Sequence, residues 1–172
     1  MPTQTTKGEH PQDVASTTSP FVIWLSTTPV ATWVVKHFAS RFDPAIFRAT
    51  NGRLTSMGVP TMPMLALTAI GRRSGQPRSV QLAYVPHDGD YLVVASAMGQ
   101  EKHPAWRYNV EANPQVQVQV RGARFPAEAT VLTDVEKQEV WSVIRQAIPQ
   151  MTVYEARTGR NIRVVRLQRR GA

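Results

Sequence analysis

The sequence predicts an α+β domain, mainly β, built as a small barrel of about six antiparallel strands with a few short peripheral helices. Two observations carry this reading. Beyond residue 60 the apolar residues fall in strand-length segments separated by turns bearing Gly, Pro, Asn or Asp. There is also no helical segment between each successive pair of strands, which a parallel sheet would need.

A chain of 172 residues with 42% hydrophobic residues suits one core. Residues 1–19 are mostly Thr, Gln, Ser and Pro and lack the large apolar side chains that offset ordering entropy, so a disordered tail is expected there. Signal-peptide architecture is missing. Phe21–Val35 carries no charge and includes Trp24 and Trp33, but it is shorter than the roughly 20 residues a membrane-spanning helix needs. Thr28 and Pro29 read as N-cap and first turn of an amphipathic helix, Pro29–Phe42, with Val30, Trp33, Val34, His37 and Phe38 on one side. Such a helix either packs on the domain or lies on a membrane surface. With a second short helix from Asp43-Pro44 to Ala49, it makes 20–52 a helical segment ahead of a barrel domain at 53–172.

Met62–Ile70, Arg78–Val85 and Tyr91–Ala95 read as three antiparallel strands, joined by turns at Gly71–Gly75 and Pro86–Asp90. His103-Pro104 opens a short helix through Ala112, which Asn113-Pro114 ends. Gln115–Val120 alternates strictly, with Val116, Val118 and Val120 on one face and three Gln expected on a solvated face. Ala123–Leu132 returns beside it. Thr133 and Glu136 form a capping box for a helix from Asp134 to Ala147, with Val140, Trp141, Ile144 and Ile148 on its buried side. Pro149 ends that helix, a short piece carries Tyr154, and Ile162–Leu167 is the last strand.

No cysteine is present, which excludes disulfide scaffolds, thiolate metal sites and thiol nucleophiles, and four scattered His show no ligand spacing, so no metal site is expected. The net charge of +8 is uneven. Residues 41–78 hold six Arg and one Asp, and 157–172 hold six Arg, whereas 79–156 hold six cations and nine anions. Two concentrated Arg clusters fit either a nucleic-acid footprint or a pocket for a small polyanion. In the last strand the odd spacing of Arg163 and Arg166 puts them on opposite faces, and no stacking motif for RNA is present, which argues against nucleic acid.

Three segments concentrate polar residues that a core does not require. Gly71-Arg72-Arg73-Ser74-Gly75-Gln76-Pro77-Arg78 joins glycines, whose backbone can approach an anion closely, to three guanidinium forks. Val94-Ala95-Ser96-Ala97-Met98-Gly99 opens a strand into a loop with small side chains, and Ala105, Trp106 and Asn109 follow, the last two three apart on a helical turn. The third runs from Pro149 to Arg160 and includes Tyr154.

In order, Leu67–Arg78, Asp88–Ser96, His103–Asn109, Ala112–Gln119 and Tyr154–Thr158 resemble the deazaflavin-dependent nitroreductases and F420H2-dependent quinone reductases of actinobacteria. The resemblance covers about residues 60–167. It implies a split β-barrel, FMN-binding-like fold and a reductase that transfers a hydride from reduced coenzyme F420 to a small-molecule electron acceptor, a quinone or a related conjugated or nitro compound. By the same resemblance Arg72, Arg73, Ser74 and Arg78 meet the coenzyme's phosphate and oligoglutamate tail. Val94, Ala95, Ser96, Ala97 and Met98 face its ring and ribityl chain, with Ala105, Trp106 and Asn109 completing the wall. Ser96 and Tyr154 are the catalytic candidates, near the reacting face and on the substrate side. Ala97 stands where many relatives carry Lys, and Met151 and Arg157 stand where nitroimidazole-reducing relatives carry further aromatics. The alternatives are an FMN enzyme of the same barrel type and a non-catalytic deazaflavin carrier. The implied setting is a cytoplasmic monomer or homodimer, with the N-terminal helix as a peripheral contact on the inner face of the plasma membrane. It would meet an upstream F420-reducing dehydrogenase only through diffusing coenzyme.

Overall fold

The computed structural model describes residues 49–50 and 62–171; the expected tail at 1–19 and almost all of the helical segment at 20–52 lie outside the described residues. Six strands, β1 (Met64–Ile70), β2 (Pro77–His87), β3 (Asp90–Val94), β4 (Gln115–Val120), β5 (Ala123–Val131) and β6 (Val164–Arg169), close a barrel in the order β1-β2-β3-β6-β5-β4. Every neighbouring pair is antiparallel, and β4 closes on β1 with Leu65 opposite Val120 and Leu67 opposite Val118. Closure leaves no strand edge to template aggregation.

Period-two alternation fills the interior. Leu65, Leu67 and Ala69 of β1 meet Tyr84, Val93, Val116, Val118, Phe125, Ala127, Val165 and Leu167 in one buried cluster. Helix α1 (Ala105–Ala112) plugs one end, since Trp106 and Val110 belong to that cluster. Leu92 and Val94 of β3 and Val164 of β6 point outward and are buried again, under α2 (Asp134–Ala147) and α3 (Gln150–Ala156). Covering on both faces explains why Tyr91–Ala95 is a continuous apolar run and why the adjacent Val164 and Val165 of β6 are both buried. Thr133 and Glu136 form the capping box: the Thr133 hydroxyl accepts from Glu136 N–H at 3.3 Å and Glu136 Oε2 accepts from Thr133 N–H at 2.8 Å. Trp141 Nε1 donates to Glu155 Oε1 at 2.9 Å, tying α2 to α3.

Two expectations need correction. Gln115 and Gln117 face solvent, but Gln119 is buried and accepts from Arg124 Nε at 3.1 Å, so the polar face of β4 is not solvated throughout. The segment after β3 is not a plain loop either. Ala97–Gly99 is a single 3₁₀ turn in which Ala97, Met98 and Gly99 all have positive φ (45°, 55° and 75°).

Gly99 and Gly75 provide a controlled comparison. Both have positive φ, but a Cβ at Gly75 meets nothing within 4 Å, whereas one at Gly99 would sit 2.9 Å from the Tyr154 carbonyl oxygen of α3. Gly75→Ala should cost about 1–2 kcal/mol of left-handed strain in urea denaturation. Gly99→Ala should cost clearly more, because α3 must move; equal losses would mean that the 96–99 turn does not bear on α3.

Candidate functional site

The β1–β2 connection is a compact turn. Gly71 N–H donates to the Gln76 carbonyl at 2.9 Å and Gly75 N–H to the Gly71 carbonyl at 2.8 Å. Space is tight at Gly71, where a Cβ would lie 2.7 Å from Ser74 Oγ and 3.3 Å from Arg78 Cγ. The turn docks on α1: Arg72 N–H donates to Asn109 Oδ1 at 3.1 Å, and the Arg72 guanidinium lies over the Tyr108 ring, 4.8 Å from its centre. Arg107 stacks on the same ring at 4.8 Å.

Turn and helix enclose a cavity of about 630 Å³ lined by Gly71, Arg72, Arg73, Ser74, Arg78, Ser79, Val80, His103, Ala105, Trp106, Tyr108 and Asn109. It has the size of a small-ligand cleft. The structure thus brings together Arg72, Arg73, Ser74, Arg78, Ala105, Trp106 and Asn109, which are far apart in sequence. Among the described residues the ion pairs are His87–Asp88, Arg107–Glu111, Arg163–Asp134 and Arg170–Glu128, so no carboxylate pairs with Arg72, Arg73 or Arg78. The three arginines thus share the lining with Trp106 and Val80 and have no carboxylate partner among the described residues. Tyr108 and His103, which lie in the His103–Asn109 motif, were not among the predicted site residues, nor were Ser79 and Val80. Tyr108 carried a local signal, lying one helical turn after Ala105; His103 carried only its place at the head of that motif, before Pro104.

The strand-end candidates lie outside that lining. Val94 is buried in the outer cluster and Ala95 in the barrel interior, while Ser96, Ala97 and Met98 are half-buried in the 3₁₀ turn, with Met98 packed on the outer cluster. Backbone carbonyls of this segment are held by Arg160. Its guanidinium donates to the Gln100 carbonyl (2.7 Å), the Ala95 carbonyl (3.1 Å) and the Ser96 carbonyl, and it contacts His103 Nδ1 at 3.0 Å. Tyr154 is buried on α3 in the outer cluster, also outside the lining, and burial raises the pKa of its phenol above 10.0.

The C-terminal Arg cluster is largely structural. Arg163 pairs with Asp134 at 2.7 Å, Arg170 with Glu128 at 2.9 Å, and Arg169 stacks over Phe125 at 4.8 Å.

Burial, followed by the charges of Arg160, Arg107 and Arg163 and opposed by Glu111, depresses the His103 pKa below the ordinary 6.5. The folded chain therefore takes up this proton less readily than the unfolded one. His103 contributes stability in full above pH 6.5, and that contribution is lost as pH falls below 6.5 through the depressed folded value. Urea midpoints measured on acidification should fall in this window, and the fall should be smaller in His103→Asn; identical pH profiles would remove His103 as its source.

The match to known proteins is specific. A family model described as F420H(2)-dependent quinone reductase matches residues 39–169. An F420H(2)-dependent quinone reductase of Mycobacterium tuberculosis is 35% identical over 148 residues, covering 82% of this chain and 99% of that protein. The solved structure of an F420-H2 dependent reductase is 36% identical with a TM-score of 0.57, covering 62% of this chain and 94% of the other. A second solved structure, described as a domain-swapped dimer, is 32% identical with a TM-score of 0.58, covering 82% of this chain and all of the other. The split barrel and its motif order thus have one source, and the chain belongs to the F420H(2)-dependent quinone reductase family, a family of oxidoreductases that use coenzyme F420.

Proposed function

We infer that the cavity between the β1–β2 turn and α1 is the bed of coenzyme F420, and that this chain uses the reduced coenzyme to reduce a quinone. One observation carries the placement: three arginines without carboxylate partners among the described residues form one wall, and an indole with aliphatic neighbours forms another. That donor set fits a molecule with a flat ring at one end and a polyanionic tail at the other. Gly71 supports the fit, because any side chain there would fill the floor of the turn. F420 replaces the FMN alternative as cofactor, since the matched family is F420H(2)-dependent.

When bound in reduced form, the coenzyme supplies a hydride from ring carbon C5, which adds to the acceptor as two electrons and one proton. The protein holds and orients. Arg72, fixed by Asn109 and Tyr108, together with Arg73 and Arg78 receives the phosphate and carboxylates, with Ser74 beside them as a hydroxyl donor. Trp106, Ala105 and Asn109 form the ring side.

The ring and ribityl chain extend from this wall toward the strand end, where Val94, Ala95, Ser96, Ala97 and Met98 lead into the 3₁₀ turn, and the acceptor side is assigned to Tyr154 behind Gly99. With its pKa raised by burial, the Tyr154 phenol stays protonated at neutral pH and has an O–H to give to the reduced acceptor, while Ser96 offers a hydrogen bond near the reacting face. The described residues contain no helix long and apolar enough to cross a membrane. A peripheral membrane contact through the N-terminal segment and a homodimer like that of the domain-swapped relative are part of this proposal.

Titration of the full chain with oxidised F420, followed by fluorescence, tests the bed. Arg72→Ala, Arg73→Ala and Arg78→Ala should each weaken binding about five- to tenfold at low salt, less at high salt, with unchanged unfolding midpoints because all three side chains are exposed. Unchanged affinity in all three variants would overturn the placement. Tyr154→Phe should leave coenzyme affinity intact and lower turnover at saturating quinone by at least about tenfold; unchanged turnover would remove the proton-donor role.

A further inference from the structure

Arg160 and His103 meet at the rim of the cavity, 57 residues apart in sequence. An arginine side chain carries only donors, so the nitrogen it faces at 3.0 Å must be the acceptor. That nitrogen is Nδ1. With its lone pair turned to Arg160, the neutral ring carries its proton on Nε2, since a proton on Nδ1 would set two donors against each other. The guanidinium is itself anchored by the carbonyls of Ala95, Ser96 and Gln100, and the imidazole stands edge-on to the Tyr108 ring at 6.0 Å and 86°. Among the described residues no protein group takes a hydrogen bond from Nε2, and the ring is part of the cavity wall.

We propose that Arg160 is a positioning residue that fixes His103 as its Nε2–H tautomer, and that this N–H is a donor for an acceptor oxygen of the bound coenzyme. The inference rests on the cavity being the coenzyme bed. It adds to the exposed arginines a neutral, rigid donor that salt does not screen, on the wall nearest the strand end. Arg160 acts only through the ring and the loop it holds.

Two measurements test it separately. In ¹⁵N-histidine NMR spectra of the coenzyme-free full chain near neutral pH, His103 should show a protonated Nε2 and a bare Nδ1. Arg160→Gln should shift it toward a mixture of tautomers, and Arg160→Lys, which keeps the charge and one donor, should restore part of the bias. An Nδ1–H or doubly protonated ring in the parent chain, or an unchanged tautomer in both Arg160 variants that fold, would overturn the positioning role.

The second measurement is titration with oxidised F420. His103→Asn keeps an acceptor for Arg160, but its amide NH2 ends short of the Nε2 position, and it should bind about tenfold more weakly. His103→Gln places an amide N–H near Nε2 and should recover part of that loss. Unchanged affinity in His103→Asn while Arg72→Ala weakens binding would remove the donor and leave the coenzyme bed standing. Unchanged affinity in His103→Asn and in all three arginine variants would take the bed away as well. If Arg160→Gln does not fold, Arg160→Lys alone tests the positioning role: a partial loss of the tautomer bias supports it and an unchanged tautomer overturns it.

Discussion

The Arg160 guanidinium is the interaction on which the ordered site depends. The chain leaves β3 through Ala97 and Met98, two non-glycine residues in left-handed conformation, at a cost of about 1–2 kcal/mol each. Such residues persist only where the surroundings fix them. Here the carbonyls on either side, Ala95 and Ser96 before the turn and Gln100 after it, all accept from one planar cation. A lysine could not span three acceptors in this way, because its ammonium is a point charge without a fixed fork. The clamp joins the segment before β6 to the end of β3, so it also holds together the two strands whose outer faces carry α2 and α3.

Closure of the barrel supplies the other half of site construction. Once β4 pairs with β1, the β1–β2 turn and α1 are brought to the same end of the cylinder, because α1 immediately precedes β4. Trp106 then serves twice, plugging the interior with most of its surface and offering its remaining edge to the cavity. A large aromatic side chain suits this double task, since its burial stabilises the fold while a rigid edge stays available to a ligand.

Local features were legible in the sequence. The Thr133/Glu136 capping box, the helix from Asp134 to Ala147 and the alternating strand Gln115–Val120 are written in neighbouring residues, and the structure has them at those boundaries. The five ordered motifs also led to the family and, with it, to the split barrel. What stayed hidden depends on contacts between distant residues. Gln119 follows the polar face of an alternating strand, yet it is buried beside Arg124. The αL pair at Ala97 and Met98 has no glycine to announce it at either position, and its cause, Arg160, lies some 60 residues away. His103 looked like a helix-start residue and is a wall of the cavity.

The same separation of local from distant information sorts the charge. Counted along the chain, the clusters before Arg78 and after Glu155 look alike, each a run of arginines. In three dimensions several C-terminal arginines are consumed internally, Arg163 and Arg170 by carboxylates, Arg169 by the Phe125 ring and Arg160 by backbone carbonyls. Arg72, Arg73 and Arg78 keep their charge without a carboxylate partner among the described residues. On the proposed placement, mutual repulsion among these like charges is relieved when the polyanionic coenzyme enters. A cation cluster therefore points to a ligand through the counter-charges the fold withholds from it, which a linear count of arginines does not reveal.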